Sequence, residues 1–194
     1  MAQFVPYVSG ITVAAYSVSI FIDSMGRNKI DRMAILEKHG IATLENDKWY
    51  PYEQYLGAIK EIAQTVGEMN LYLMGIASVK NTPYRLGETL QEALSNLNGL
   101  VHMQHRLNGV DMFNQQTGEM LPGLGEFALK EFDAQNRRAV VVTSTAYSSK
   151  TEEGALFAMA QIYEPNSKFL TVKEDITKPR KTQGGDSTTF LIRW

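Results

Sequence analysis

A chain of 194 residues, 44% hydrophobic and 21% charged, has enough apolar material for one packed core and reads as a single domain over residues 1–194. Its net charge of -2, with no long block of one sign, argues against bulk attraction to nucleic acid or to an anionic membrane surface. The absence of cysteine excludes disulfides, thiolate zinc sites and a cysteine nucleophile.

No basic segment precedes the first apolar residues, so the N-terminus does not read as a signal peptide. The most apolar run, Ile11 to Ile22, is too short and too polar to span a bilayer. These features fit a cytoplasmic protein.

From Gly10 to Met25 the spacing of Ile11, Ala15, Val18 and Ile22 predicts a helix, stopped by Gly26. Asn28 is a candidate cap for a second helix to about Lys38. Residues 41–50 read as a loop carrying Trp49. Pro51 then opens a helix to Val66, with Tyr55, Ile59, Ile62 and Val66 on one face. A short apolar helix follows from Met69 to Ala77. Leu86, Leu90, Ala93 and Leu97 define another, ending near Asn98-Gly99.

The period then changes. Residues 100–107 (LVHMQHRL) suit either a strand or a further helical turn, and we lean to a strand. Residues 126–132 and 137–145 read as two strands of a hairpin. Ser149 to Glu152 fits the capping box S-x-x-E of a helix that runs to Tyr163 and buries Ala155, Leu156, Met159 and Ile162. Residues 168–173 are a strand and 174–186 a polar loop. The terminal strand alternates, with Phe190, Ile192 and Trp194 on one face, and ends on a Trp that must dock to escape water. The order predicts an α+β fold: an N-terminal helical layer (about 1–98) packed on a mainly antiparallel sheet with one inserted helix (about 99–194).

No standard catalytic signature is present. Gly118 to Gly125 (GEMLPGLG) has the wrong spacing for a phosphate loop. His102 and His105 would share a face, and a metal, only on a helix; on a strand they would diverge. With no cysteine, the further ligands would be carboxylates, of which Asp111 is nearest. Either imidazole alone could serve as a haem axial ligand. Tyr147-Ser148-Ser149-Lys150 sits at a strand-to-helix junction, where backbone N–H groups attract a carboxylate or phosphate; simple helix capping by Ser149 is the plainer reading. Nine Met, nine Tyr and eight Phe suit an apolar cavity or a dimer face as well as an ordinary core. The basic pairs at Arg137-Arg138 and Arg180-Lys181 read as solvated.

MGRNKIDRMAILEKHGI, WYPYEQYLGAIKEIAQTVGE, LYLMGI, LNGLVHMQHR, TAYSSKTEEGALFAMAQIYEP and GGDSTTFLIRW, in this order, resemble a ligand-binding fold shared by three families. These are the haem nitric-oxide-binding (H-NOX) domains, the 4-vinyl reductase domains and the core subunits of the TRAPP tethering complex. The ending resembles the G-x-x-x-C-T-Y-x-x-x-W of 4-vinyl-reductase-like proteins, with Phe190 for the Tyr and Thr188 where a cysteine would fall. H-NOX domains hold the haem propionates with Y-x-S-x-R; here Tyr147 and Ser149 match and Thr151 replaces the Arg, removing a bidentate partner.

The resemblance implies a non-catalytic sensory or interaction domain that holds a hydrophobic small molecule between the helical layer and the sheet. Expected lining residues are Tyr55, Ile59, Met103, Val141 and Met159, with Tyr147 and Ser149 as a polar end. The alternative it implies is a haem-based gas sensor, with His102 as axial ligand and His105 in reserve; another tetrapyrrole would suit the same site. Homodimerisation and a separate output protein are the implied partners. A tetrapyrrole reductase is the enzyme the analogy would favour, but no acid–base or nucleophile constellation supports one.

Overall fold

The computed structural model describes residues 3–23, 29–82, 84 and 86–194, and leaves the side chains of 21–23 and 29–31 undescribed. The chain order is β1 (Ile11–Ala14), α1 (Ala15–Asp23), α2 (Lys29–Lys38), β2 (Trp49–Pro51), α3 (Tyr52–Val66), α4 (Glu68–Lys80), α5 (Leu90–Met103), β3 (His105–Leu107), β4 (Val110–Asp111), β5 (Phe127–Asp133), β6 (Arg138–Thr143), α6 (Ser149–Tyr163), β7 (Thr171–Glu174) and β8 (Thr188–Arg193). This is an α+β fold with two antiparallel four-stranded sheets, ordered β2-β1-β3-β4 and β5-β6-β8-β7.

The predicted helix from Gly10 is replaced at its start by a strand. Ile11, Thr12 and Val13 are β-branched, and β1 is bonded on both sides, to β2 and to β3, which outweighs a helical spacing of apolar residues. The helix begins only at Ala15. Trp49 and Pro51 likewise belong to a short strand, so α3 starts at Tyr52. The proposed cap Asn28 lies outside the described residues.

The strand expected over residues 100–107 is also corrected. Thr89 caps α5, accepting from Glu92 N at 3.2 Å, while Glu92 Oε2 accepts from Glu88 N at 2.7 Å. So capped, α5 starts later than Leu86 and runs on through Met103; only His105–Leu107 pair as strand. Ile162, expected inside, is about half exposed on the outer side of α6.

The larger sheet behaves as its pattern predicts. Phe190 and Ile192 of β8 are fully buried, and Trp194 stacks at 5.3 Å on Phe132 while its N–H donates to Arg137 O. The apolar side chains form two clusters. One joins β1 to α1–α4; the other joins α5, α6 and the larger sheet.

The two are bound together where α4 crosses α6. A Cβ on Gly75 would stand 1.9 Å from Thr151 O, and one on Gly154 2.0 Å from Tyr72 O, so the two backbones touch. Gly75→Ala forces them apart and is expected to cost about 3 kcal/mol, the upper end for overpacking. The expected observation is a lower urea midpoint at unchanged slope.

Candidate functional site

The two clusters do not close completely. Between them lies a cavity of about 110 Å³. Its walls come from α1 (Tyr16, Ile20), α3 (Tyr55), α4 (Met74, Val79), α5 (Leu97, Leu100) and α6 (Ala155), with Phe127 of β5. Half-buried Tyr16, Ser17, Ser78 and Thr82 add hydroxyl-bearing side chains to the lining. His105, Tyr147, Thr151 and Glu152 line it as well, of which His105 and Glu152 are buried.

The end of α5 separates the two histidines. Each Nδ1 bonds the carbonyl four residues earlier, His102 to Asn98 O at 2.9 Å and His105 to Val101 O at 2.8 Å. A carbonyl only accepts, so each Nδ1 carries the proton. The helix stops at Met103, and His105 enters β3 and lines the cavity, while His102 is not among its lining residues. They therefore share no metal. Asp111 is taken by Arg106 at 2.6 Å, and the described residues hold no group of three potential ligands.

His105 Nε2 accepts from the Tyr147 hydroxyl at 2.9 Å. Tyr52 packs edge-on against both rings, at 4.9 Å from His105 and 5.3 Å from Tyr147. The Tyr52 hydroxyl is buried and interacts with that of Tyr147. Burial pulls the His105 pKa down to about 4, so the ring is neutral at pH 7. Burial also raises the Tyr147 and Tyr55 phenols above their ordinary range.

Tyr147 is placed by an ion pair that the sequence did not announce. Lys181, read as solvated, is buried and donates to Glu152 Oε2 at 2.6 Å, Thr145 O at 3.0 Å and Tyr147 O at 2.9 Å. Glu152 also accepts from Thr143 Oγ1 and Thr145 Oγ1, each at 2.7 Å. The capping box is thus corrected: Ser148 caps α6, accepting from Lys150 N at 3.1 Å, and Glu152 turns inward. Burial raises the Glu152 carboxyl against the pull of Lys181 and the threonines.

Glu152 stands four residues before Leu156 and seven before Met159, on the stripe already read as inward, so that signal was available. Tyr52 likewise precedes Tyr55 by three and Ile59 by seven. Nothing local distinguished Lys181.

The anion site expected at Tyr147–Lys150 has its donors filled from within the chain. Gln3 Oε1 accepts from Ser149 N at 2.9 Å, and the Ser149 hydroxyl bonds Thr188 Oγ1 at 2.9 Å. Of the residues expected to line a cavity, Tyr55 and Tyr147 do so; His105, expected only as a reserve axial ligand, lines it too. Ile59 lies in the first apolar cluster, and Val141 and Met159 in the second. Met103 is half-buried, its sulfur facing the Gln115 amide at 3.4 Å.

No sequence-family model matches the chain, and no curated protein does. Solved structures do. An H-NOX protein from S. oneidensis in the Fe(II)NO ligation state superposes with a TM-score of 0.61 at 14% identity, over 93% of this chain and 98% of that one. Unliganded Fe(II) H-NOX protein from K. algicida gives 0.61 at 12%, over 93% and 95%. A point mutant of T. tengcongensis H-NOX gives 0.62 at 11%, over 96% and 97%. At such identities the likeness is one of fold: the chain has the H-NOX-like architecture. Among the described residues no helix is long and apolar enough to cross a membrane.

The site as arranged does not fit a haem. Its volume of about 110 Å³ is well below the roughly 300–1,000 Å³ of pockets for drug-sized ligands, and a porphyrin is no smaller. The nitrogen free to bind iron is occupied by Tyr147. Thr151 offers no cation for propionates, and Glu152 sets a carboxylate among the lining residues.

Two measurements follow. Lys181→Met leaves Glu152 as an unpaired buried charge and is expected to lose about 3–5 kcal/mol in urea unfolding; adding Glu152→Gln should recover part. His105 binds fewer protons folded than unfolded, so its contribution is complete above pH 6.5 and lost as pH falls towards 4. The loss is on the order of 3 kcal/mol, and His105→Gln should flatten that part of the stability profile.

Proposed function

We propose that this chain is a single sensory or interaction domain of H-NOX-like fold that binds a small, mainly apolar molecule in the cavity between its two apolar clusters, without transforming it. The cavity carries this reading: apolar walls from five helices and one strand meet the polar pair His105 and Tyr147. A benzene-sized guest fills an engineered apolar cavity of about 150 Å³. The cavity here suits a guest of that size or slightly less.

Occupancy has a route outwards. Tyr147 touches the cavity through its ring, while its carbonyl is held by Lys181, at the start of the short 3-10 turn Lys181–Gln183. Pairing with a second copy or with an output protein is part of the proposal. Exposed Val66, Met69 and Leu73 at the α3–α4 corner supply apolar surface for it.

A haem-based gas sensor is the second reading. The fold likeness to H-NOX proteins, among them one studied for haem distortion, supports it. So does His105, which lines the cavity in the tautomer that leaves Nε2 unprotonated, as a metal ligand requires. It requires the Tyr147 contact to open and the cavity to widen.

The test is an absorption spectrum with denaturing mass spectrometry on protein from a haem-supplied host. The expected result is no Soret band, with or without a small released molecule. A Soret band abolished by His105→Ala and kept in His102→Ala would establish the haem reading in its place.

A further inference from the structure

The helices packed on the larger sheet, α5 and α6, meet its inner side chains, among them Val141, Phe190 and Ile192. On the other side stand Val140 and Val142 of β6 and Leu191 of β8, half-buried and in neither apolar cluster. A strand apolar on both faces, as β6 is over residues 139–142, has the pattern of one covered on both.

One row of side chains crosses this outer face. The register sets Glu131 beside Val140, Val140 beside Leu191 and Leu191 beside Lys173, and directly paired residues share a face. The row therefore reads acid, apolar, apolar, base over four strands, about 14 Å from end to end. Glu131 and Lys173 are exposed and too far apart to meet. Neither side chain has an ion pair or hydrogen bond among the described residues.

Such a row is complementary to itself. A two-fold axis along the strands, between β6 and β8, turns a second copy face down and reverses the row. Val140 then lies over Leu191 of the second copy and Glu131 over its Lys173, each contact made twice by symmetry. Packed sheets stand about 10 Å apart, a gap that an extended Lys and Glu span together.

We infer that two copies of this chain pair through the outer face of the β5-β6-β8-β7 sheet, with Glu131 of each against Lys173 of the other. The inference rests on the pairing proposed above and gives it a face distinct from the α3–α4 corner. The face measures roughly 15 by 20 Å, short of the about 800 Å² per partner of a standard interface. The same axis brings Arg138, held by Asp133 at 3.4 Å, towards Arg193 of the second copy. Both features make the dimer transient and concentration-dependent.

The test is sedimentation velocity on the full chain over a range of concentrations. The wild type is expected to self-associate weakly, and less at high salt. Glu131→Lys or Lys173→Glu alone sets like charges opposite each other at both ends of the row and should weaken association at least about tenfold. Mixing the two variants should restore it, because each then carries the charge the other lacks; a folding defect would not be repaired by mixing. Association that ignores both reversals, or single variants that mixing does not rescue, would overturn the assignment of this face. Association lost instead in Met69→Glu would move the interface to the α3–α4 corner and leave the pairing itself intact. A wild type that stays monomeric throughout would sink the self-pairing, leaving the cavity reading untouched.

Discussion

The buried pair of Lys181 and Glu152 is the contact on which the arrangement of this protein depends. Two charges removed from water are tolerable only if every proton and lone pair finds a partner. Here Lys181 uses all three protons and Glu152 is met by two threonine hydroxyls. Those partners belong to different pieces of chain: the end of β6, the loop before α6, α6 itself and the 3-10 turn before β8. The pair therefore fixes where a strand ends, how a helix begins and where the last loop lies. Because one of its acceptors is Tyr147 O, it also fixes the phenol that meets His105.

The cavity follows from the way the two apolar clusters meet. Backbone contact at Gly75 and Gly154 sets α4 hard against α6 and leaves no room to widen on that side. Elsewhere at the seam, among α1, α3 and α5, a small apolar space persists. Its polar end is anchored from both sides, His105 by Val101 O and Tyr147 by Lys181.

The fold and the chemistry of the site diverge. The architecture is that of H-NOX proteins over nearly the whole chain. Yet the unprotonated imidazole nitrogen of His105 is closed by a tyrosine, and Thr151, where the resembled motif carries an arginine, offers no positive charge. A fold specifies where a ligand can sit; the side chains at that place specify which ligand it is.

Much of the scaffold was legible in the sequence because it rests on local periodicity. The stripes of α3 and α6, the alternation of β8 and the docked Trp194 follow from apolar side chains needing one dry face. The α+β order follows from the succession of those patterns. The sequence by itself also determined the absence of thiol chemistry and a threonine, not a cation, at position 151.

Tertiary structure alone decided the rest. Whether Ile11–Ala14 is strand or helix depends on partners about 40 and 95 residues away, bonded on either edge. Which histidine reaches the cavity depends on α5 ending at Met103, two residues before His105. That Lys181 is buried depends on a carboxylate 29 residues earlier, meeting it only when the sheet and α6 have closed. Each of these is a contact between distant segments, and a period read along the chain carries no information about contacts across it.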